Sequence, residues 1–171
     1  MLTRRKQLLD VKKIMRGGIM SLEENKAVVR KVTETENSRD LAVLDELIAP
    51  AYFNQLHQLR GQEGYKQFLT VLFKAFPDWH ETIEEIIAEG DKVCVRLRID
   101  TGIHTGELNL LGISVSPTGK KSTVKSIQIW RIVDGKVVEQ EGVYDELDLL
   151  RQMGLIEPTE KGKKLFPEDV K

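Results

Sequence analysis

From Ser21 onward, Val28, Val29 and Val32 recur at helical spacing, and after the polar run Asn37-Ser-Arg-Asp the spacing resumes with Leu41, Leu44, Leu47 and Ile48. This pattern predicts two helices parted by a polar turn, the first entered through Ser21 and Glu24 at capping-box spacing. Pro50 ends the second, because proline has no N–H for the helical ladder and drives its predecessor into extended backbone. A third helix is predicted over residues 63–75. There Tyr65, Phe68, Leu69, Leu72 and Phe73 make one apolar stripe that reads as core, closed by Phe76-Pro-Asp.

After Trp79 the period drops from helical to alternating, which predicts strands over residues 82–89 and 92–101 with Glu89-Gly-Asp as the turn between them. In the second strand Val93, Val95, Leu97 and Ile99 share one face and Cys94, Arg96, Arg98 and Asp100 the other, so one face is core and the opposite one wet. Further strands are predicted over residues 121–133 and 136–144, joined at Asp134-Gly. The loop between the second and third strands, with Gly106, Leu110-Leu-Gly, Pro117 and Gly119, is long enough to form a rim or lid. A short helix over residues 146–153 stops at Gly154, which suits the left-handed position after a helix. Helices followed by an antiparallel meander indicate an α+β domain in which the sheet buries one face under the helices, and a strongly bent sheet leaves a cavity for a small ligand.

The chain has 171 residues, 40% hydrophobic and 31% charged, which is enough apolar material for one core and too little for two unrelated domains. No apolar run approaches the roughly 18 to 20 residues of a membrane span. The formal charge of −1 provides no field that draws a protein onto nucleic acid or anionic lipid. The charge is uneven: Arg4, Arg5, Lys6, Lys12, Lys13 and Arg16 make the start basic, which leaves the remainder net acidic. One short basic segment without interleaved aromatics offers only nonspecific attraction to nucleic acid. No apolar stretch of signal-peptide type follows it. Residues 1–19 are therefore expected to be an extension dispensable to the domain, or a solvated helix leaning on it. Residues 20–156 are expected to form the domain, and 157–171 a charged tail. The single Cys94 rules out an intramolecular disulfide and a cysteine-rich zinc site, and His57, His80 and His104 are too dispersed for a metal motif. The expectation is a cytoplasmic protein without metal or organic cofactor.

No nucleophile elbow, phosphate loop or dinucleotide fingerprint occurs, so chemistry has to come from isolated polar residues. Asp145 stands where the last strand passes to the final helix, after Val143 and Tyr144. It is either a carboxylate whose proton affinity is raised by an apolar pocket, as a general base requires, or the cap of the helix that follows. His104, at the end of the second strand, is either a backbone-bonded loop residue or a catalytic one. Ser126, Gln128 and Trp130 share a face of the third strand that is either wet exterior or polar pocket wall. Glu139 and Glu141 on the fourth strand carry the same ambiguity. Cys94 reads as a packed, inert thiol.

Taken in order, several segments resemble the SnoaL-like polyketide cyclase, or ester cyclase, family. They are Ala49-Pro-Ala-Tyr-Phe, Gly61-Gln-Glu-Gly, Phe76-Pro-Asp, Ile87-Ala-Glu-Gly-Asp-Lys-Val, Gly102-Ile-His-Thr-Gly-Glu, Pro117-Thr-Gly-Lys-Lys, Asp134-Gly-Lys-Val-Val-Glu, and Asp145 with Leu149-Leu-Arg-Gln-Met-Gly. The resemblance runs from about Glu24 to Gly154. It implies a cone-shaped α+β barrel of the nuclear-transport-factor-two-like superfamily, with N-terminal helices on a strongly curved, mainly antiparallel sheet that encloses a pocket, usually in a homodimer. The implied activity is closure of a ring in a small hydrophobic polyketide ester by an intramolecular aldol step, or a related isomerisation or dehydration, without cofactor. Asp145 aligns with the family's acid/base aspartate and His104 with a histidine at the pocket mouth. Tyr52, Gln55, Gln128, Trp130, Glu141 and Tyr144 are the expected substrate-binding residues. The chain departs from its relatives at Gln55 and at Gln140-Glu141, where they carry histidine and His-Trp, so a paired histidine and aspartate of the usual kind is not expected. The competing reading is a ligand-binding or dimer-scaffold protein of the same fold without chemistry.

Overall fold

The computed structural model describes residues 20–110, 112–157 and 159–165. The expected extension over residues 1–19 lies outside the described residues, as does the tail beyond residue 165.

Helix α1, Leu22–Ser38, starts in the predicted capping box: the Glu24 N–H donates to Ser21 Oγ at 3.2 Å and the Ser21 N–H to Glu24 Oε2 at 2.7 Å. It ends at Arg39, a non-glycine residue with φ of 64°, in the left-handed conformation that closes helices. The Arg39 guanidinium lies 3.9 Å from the centre of the Phe73 ring and donates to the carbonyls of Glu36 and Trp79, which fastens the helix end to the sheet.

The second predicted helix shrinks to α2, Leu44–Leu47. Residues Ile48–Asn54 are strand β1, which runs parallel to the last strand. Pro50 therefore marks a strand rather than simply the end of a helix. It lies where the register breaks between Ile48 and Phe53, a place where a residue without an N–H costs no ladder bond. Strand β2, Leu59–Arg60, is followed by α3, Gly61–Ala75, whose buried Tyr65, Leu69 and Leu72 follow the predicted stripe.

Strands β3, His80–Glu89, and β4, Lys92–Ile103, form the first predicted hairpin. Strands β7, Lys121–Val133, and β8, Lys136–Tyr144, form the second. Val93, Val95, Leu97 and Ile99 all face the core, as their alternation predicts. The long loop holds a small hairpin of its own, β5, Leu108–Leu110, and β6, Ile113–Val115. Helix α4, Glu146–Gln152, ends at Gly154 with φ of 70°, and α5, Glu160–Leu165, follows in the tail.

The main sheet has the order β2-β1-β8-β7-β4-β3, antiparallel except for the β1–β8 pair. Bulges in β3, β4 and β8 bend it, but it does not close into the expected barrel. The β3 edge is already engaged by α1: the Asn37 side chain donates to the Glu81 carbonyl and accepts from the Glu81 N–H, both at 2.8 Å. At the other edge β2 is only two residues long. The fold is therefore an open α+β layer structure, with helices on the inner face of a bent sheet.

Candidate active site

Between that inner face and helices α1, α3 and α4 lies a cavity of about 380 Å³. Leu69, Leu72 and Phe76 form its helical wall, Leu149 and Leu150 of α4 cover it, and Leu108 and Leu110 bring the β5–β6 hairpin to its rim. Among the described residues that line it, none is lysine or arginine, while Glu36, Glu81 and Glu146 are present.

One wall is polar and its hydrogen bonds are fixed. Gln140 Oε1 accepts from the Tyr52 hydroxyl and from Asn54 Nδ2 at 3.1 Å, and Gln140 Nε2 donates to Gln128 Oε1 at 2.7 Å. Gln128 Oε1 also accepts from Trp130 Nε1 at 3.0 Å, while its Nε2 donates to Ser126 Oγ at 3.1 Å and to the Tyr144 hydroxyl at 3.3 Å. These bonds lock the two glutamine amides in one orientation, because each is both donor and acceptor in the chain. Tyr144 accepts from Gln128, so its own O–H is free to donate to a guest. Burial holds that hydroxyl protonated, well above the ordinary tyrosine range. Gly142, between Gln140 and Tyr144, makes room for this wall: a Cβ there would lie 2.8 Å from the Ile127 carbonyl and 2.9 Å from Gln128 Cγ.

Opposite stand two buried carboxyl groups that the sequence reading did not single out. Glu36 comes from the last turn of α1 and Glu81 from the start of β3, and the two are within hydrogen-bonding reach of each other. The Tyr65 hydroxyl donates to Glu36 Oε1, and Trp79 Nε1 donates to Glu81 Oε1 at 3.2 Å. Loss of water and the mutual repulsion of two negative charges hold Glu36 well above the usual carboxylate range. Burial also raises Glu81, to about 7, against the opposing effect of its hydrogen bonds from Trp79 and Glu36 and of the nearby Arg39. At neutral pH the pair therefore shares a proton.

The signal for Glu36 was in the sequence, because it stands four residues after Val32 on the stripe of Val28, Val29 and Val32. Glu81 pairs with core residue Ile99, which directs its side chain inward. His57 also lines the cavity, stacked on Phe68 at 4.6 Å and tilted against Tyr144 at 5.7 Å, and its burial favours the neutral imidazole.

Of the residues expected from sequence, Gln128, Trp130 and Tyr144 line the cavity, which resolves the face of β7 as pocket wall. Tyr52 is buried behind that wall and supports Gln140. Gln55 is exposed and donates to Glu139 Oε1 at 2.7 Å, away from the cavity. Glu141 pairs with the partly exposed Ile129 on the outer face, because strand alternation turns Gln140 inward and its neighbour out.

His104 is fully buried but backs the wall instead of lining it. It stacks on Phe76 at 4.8 Å, and its Nδ1 accepts from the Thr118 N–H at 3.1 Å. Asp145 is exposed, and its Oδ1 accepts from the Asp148 N–H at 3.2 Å as the cap of α4. An apolar pocket around Asp145 is thus not what the fold builds. The peptide turns outward after Tyr144 to start the helix, and the buried acids sit on α1 and β3.

Comparison with known proteins bears on the same stretch. A family model described as SnoaL-like polyketide cyclase matches residues 26–153. The aklanonic acid methyl ester cyclase DauD of Streptomyces sp. (strain C5) is 32% identical over 146 residues, spanning 82% of this chain and 88% of its own. DnrD of Streptomyces peucetius, which carries the same description, is 32% identical over 141 residues, 79% of this chain and 94% of its own. Among solved structures, TsrD from Streptomyces laurentii superposes with a TM-score of 0.71 at 25% identity, covering 80% of this chain and 99% of that one. IdmH from Streptomyces antibioticus does so at 0.61 and 27%, covering 76% and 98%.

Proposed function

The chain belongs to the SnoaL-like polyketide cyclase family, and from that premise we propose that it closes a ring in a small hydrophobic carbonyl compound of polyketide type by intramolecular proton transfer and carbon–carbon bond formation. The observation that carries this reading is the cavity: about 380 Å³, apolar on most sides, with a ladder of fixed amides and ionisable side chains buried at its wall. Such a space strips water from a guest, and a proton-transfer group held there keeps a pKa near the working pH. An aldol closure is an isomerisation, so its atoms balance without a co-reactant. The Tyr144 hydroxyl is placed to donate to a substrate carbonyl, and Gln128 and Trp130 shape the wall beside it.

The test is incubation of the protein with aklanonic acid methyl ester, the compound for which DauD and DnrD are named, followed by chromatography. A cyclised isomer of unchanged mass is expected, with its rate insensitive to a chelator. Tight binding of the ester without any change in it would support a ligand-binding protein instead.

The family resemblance also underlies a homodimer, for which the outer sheet face supplies a surface: Ile87, Ile127, Ile129 and Val143 are exposed there beside Cys94. The single cysteine supplies no disulfide within the chain, and the proposal places the protein in the cytoplasm.

A further inference from the structure

We infer that Glu36 and Glu81 are the acid/base pair of the cavity, Glu81 taking the proton from carbon and Glu36 delivering one to the new alkoxide oxygen. The assignment rests on the reading of the guest as a carbonyl compound and names the residues that act on it. Both carboxyls are more than nine-tenths buried, both line the cavity, and they reach each other across the junction of α1 and β3.

A Glu81 carboxylate oxygen forms an O–H bond as the C–H bond between two carbonyls breaks, and the electron pair moves to oxygen as an enolate. The enolate carbon then attacks a second carbonyl of the same molecule, a C–C bond forms, and the displaced π pair becomes an alkoxide that takes the proton of the Glu36 carboxyl. Glu81 is now protonated and Glu36 ionised, and the hydrogen bond between them returns the proton and restores the pair.

Tyr65 and Trp79 are positioning residues, each donating to one carboxyl and leaving the other oxygens for the partner and the guest. Asn37 fixes the Glu81 backbone from α1, so the two acids cannot drift apart without opening the β3 edge. The charged and titratable groups that act on the pair are Arg39 at the end of α1, Tyr65 of α3, Tyr52 of β1 and Tyr144 of β8. Arg39 is the one cation among them.

The experiment separates the two proton transfers. Exchange of the methylene hydrogens of ethyl benzoylacetate into deuterated buffer, followed by NMR, reads removal of the carbon-bound proton alone. Cyclisation of aklanonic acid methyl ester reads the whole sequence. Glu81→Gln is expected to lose at least about 100-fold in both. Glu36→Gln is expected to lose cyclisation by about the same 100-fold and exchange by less, so the ratio of the two losses marks the acid role. Infrared titration of the unaltered protein is independent of how the variants fold. One carboxyl should remain protonated above neutral pH, and its band should vanish in Glu36→Gln.

Exchange at the unaltered rate in Glu81→Gln, loss of exchange in Asp145→Asn instead, no exchange above buffer in the unaltered protein, or two ionised carboxylates at neutral pH would each overturn the assignment. Exchange without any cyclisation of the ester would sink the cyclase reading and leave the pair standing.

Discussion

Glu36 and Glu81 hold their protons more tightly in the folded protein than in the unfolded chain, where an ordinary glutamate titrates near 4.5. Above that value the folded state binds more protons, so their stabilising share is complete at low pH; the share of Glu81 is lost as pH rises through about 7, and that of Glu36 as pH rises through its own raised value. Replacing both with glutamine should therefore make the protein progressively more stable than its parent as pH increases across that window, by on the order of a few kcal/mol. Buried neutral His57 acts in the opposite sense, costing stability as pH falls below its ordinary 6.5, but it is common to both proteins and cancels in the difference. Denaturant unfolding at a series of pH values checks this, and a constant difference would contradict it. The residues involved show how far spacing alone reaches. Asp145 was visible as a strand-to-helix junction, and its capping role was one of the two readings open to it. Its lack of burial was not visible, because burial depends on where the chain turns after Tyr144. Glu36 was legible in principle as the charged continuation of an apolar stripe, but only the fold shows that a second acid meets it there.

At the scale of elements, the two hairpins were legible from Glu89-Gly-Asp and Asp134-Gly, and the core face of β4 from four alternating aliphatic residues. The inner face of β7 was not, because Ser126, Gln128 and Trp130 are polar or amphipathic and could as well have faced water. What makes them a wall is the partner strand. Strand β8 sets Gln140 and Tyr144 on the same side, with Gly142 between them, so the amides find one another. Strand β1 was missed because Pro50 punctuates a parallel pairing whose partner lies some ninety residues away, beyond any local pattern. Gly142 offers a direct test. Alanine there meets the Ile127 carbonyl, a backbone atom, as well as Gln128, and should cost about 1–3 kcal/mol through overpacking. Thermal unfolding should register this as a drop of several degrees, roughly 2–4 °C per kcal/mol for a chain of this size. An unchanged midpoint would show that the wall is looser than its hydrogen bonds indicate.

For the whole molecule, the open sheet leaves an outer face with Val143 at 66% and Ile127 at 50% exposure, aligned across β7 and β8. If the proposed homodimer uses this face, Ile127→Glu with Val143→Glu should shift sedimentation from dimer to monomer. Cavity binding should be retained, because these side chains point away from it. A monomeric parent, or a dimer indifferent to the two changes, would place any interface elsewhere. The inner side has a different electrical character: acids at the wall and no lysine or arginine among the described residues that line it. A molecule entering there has to leave any negative charge behind, since no cation among those residues lines the cavity to replace the water around it. On the proposed reading, a ketoester whose ester has hydrolysed to the free acid becomes a poor tenant, so its decay should starve the protein without poisoning it.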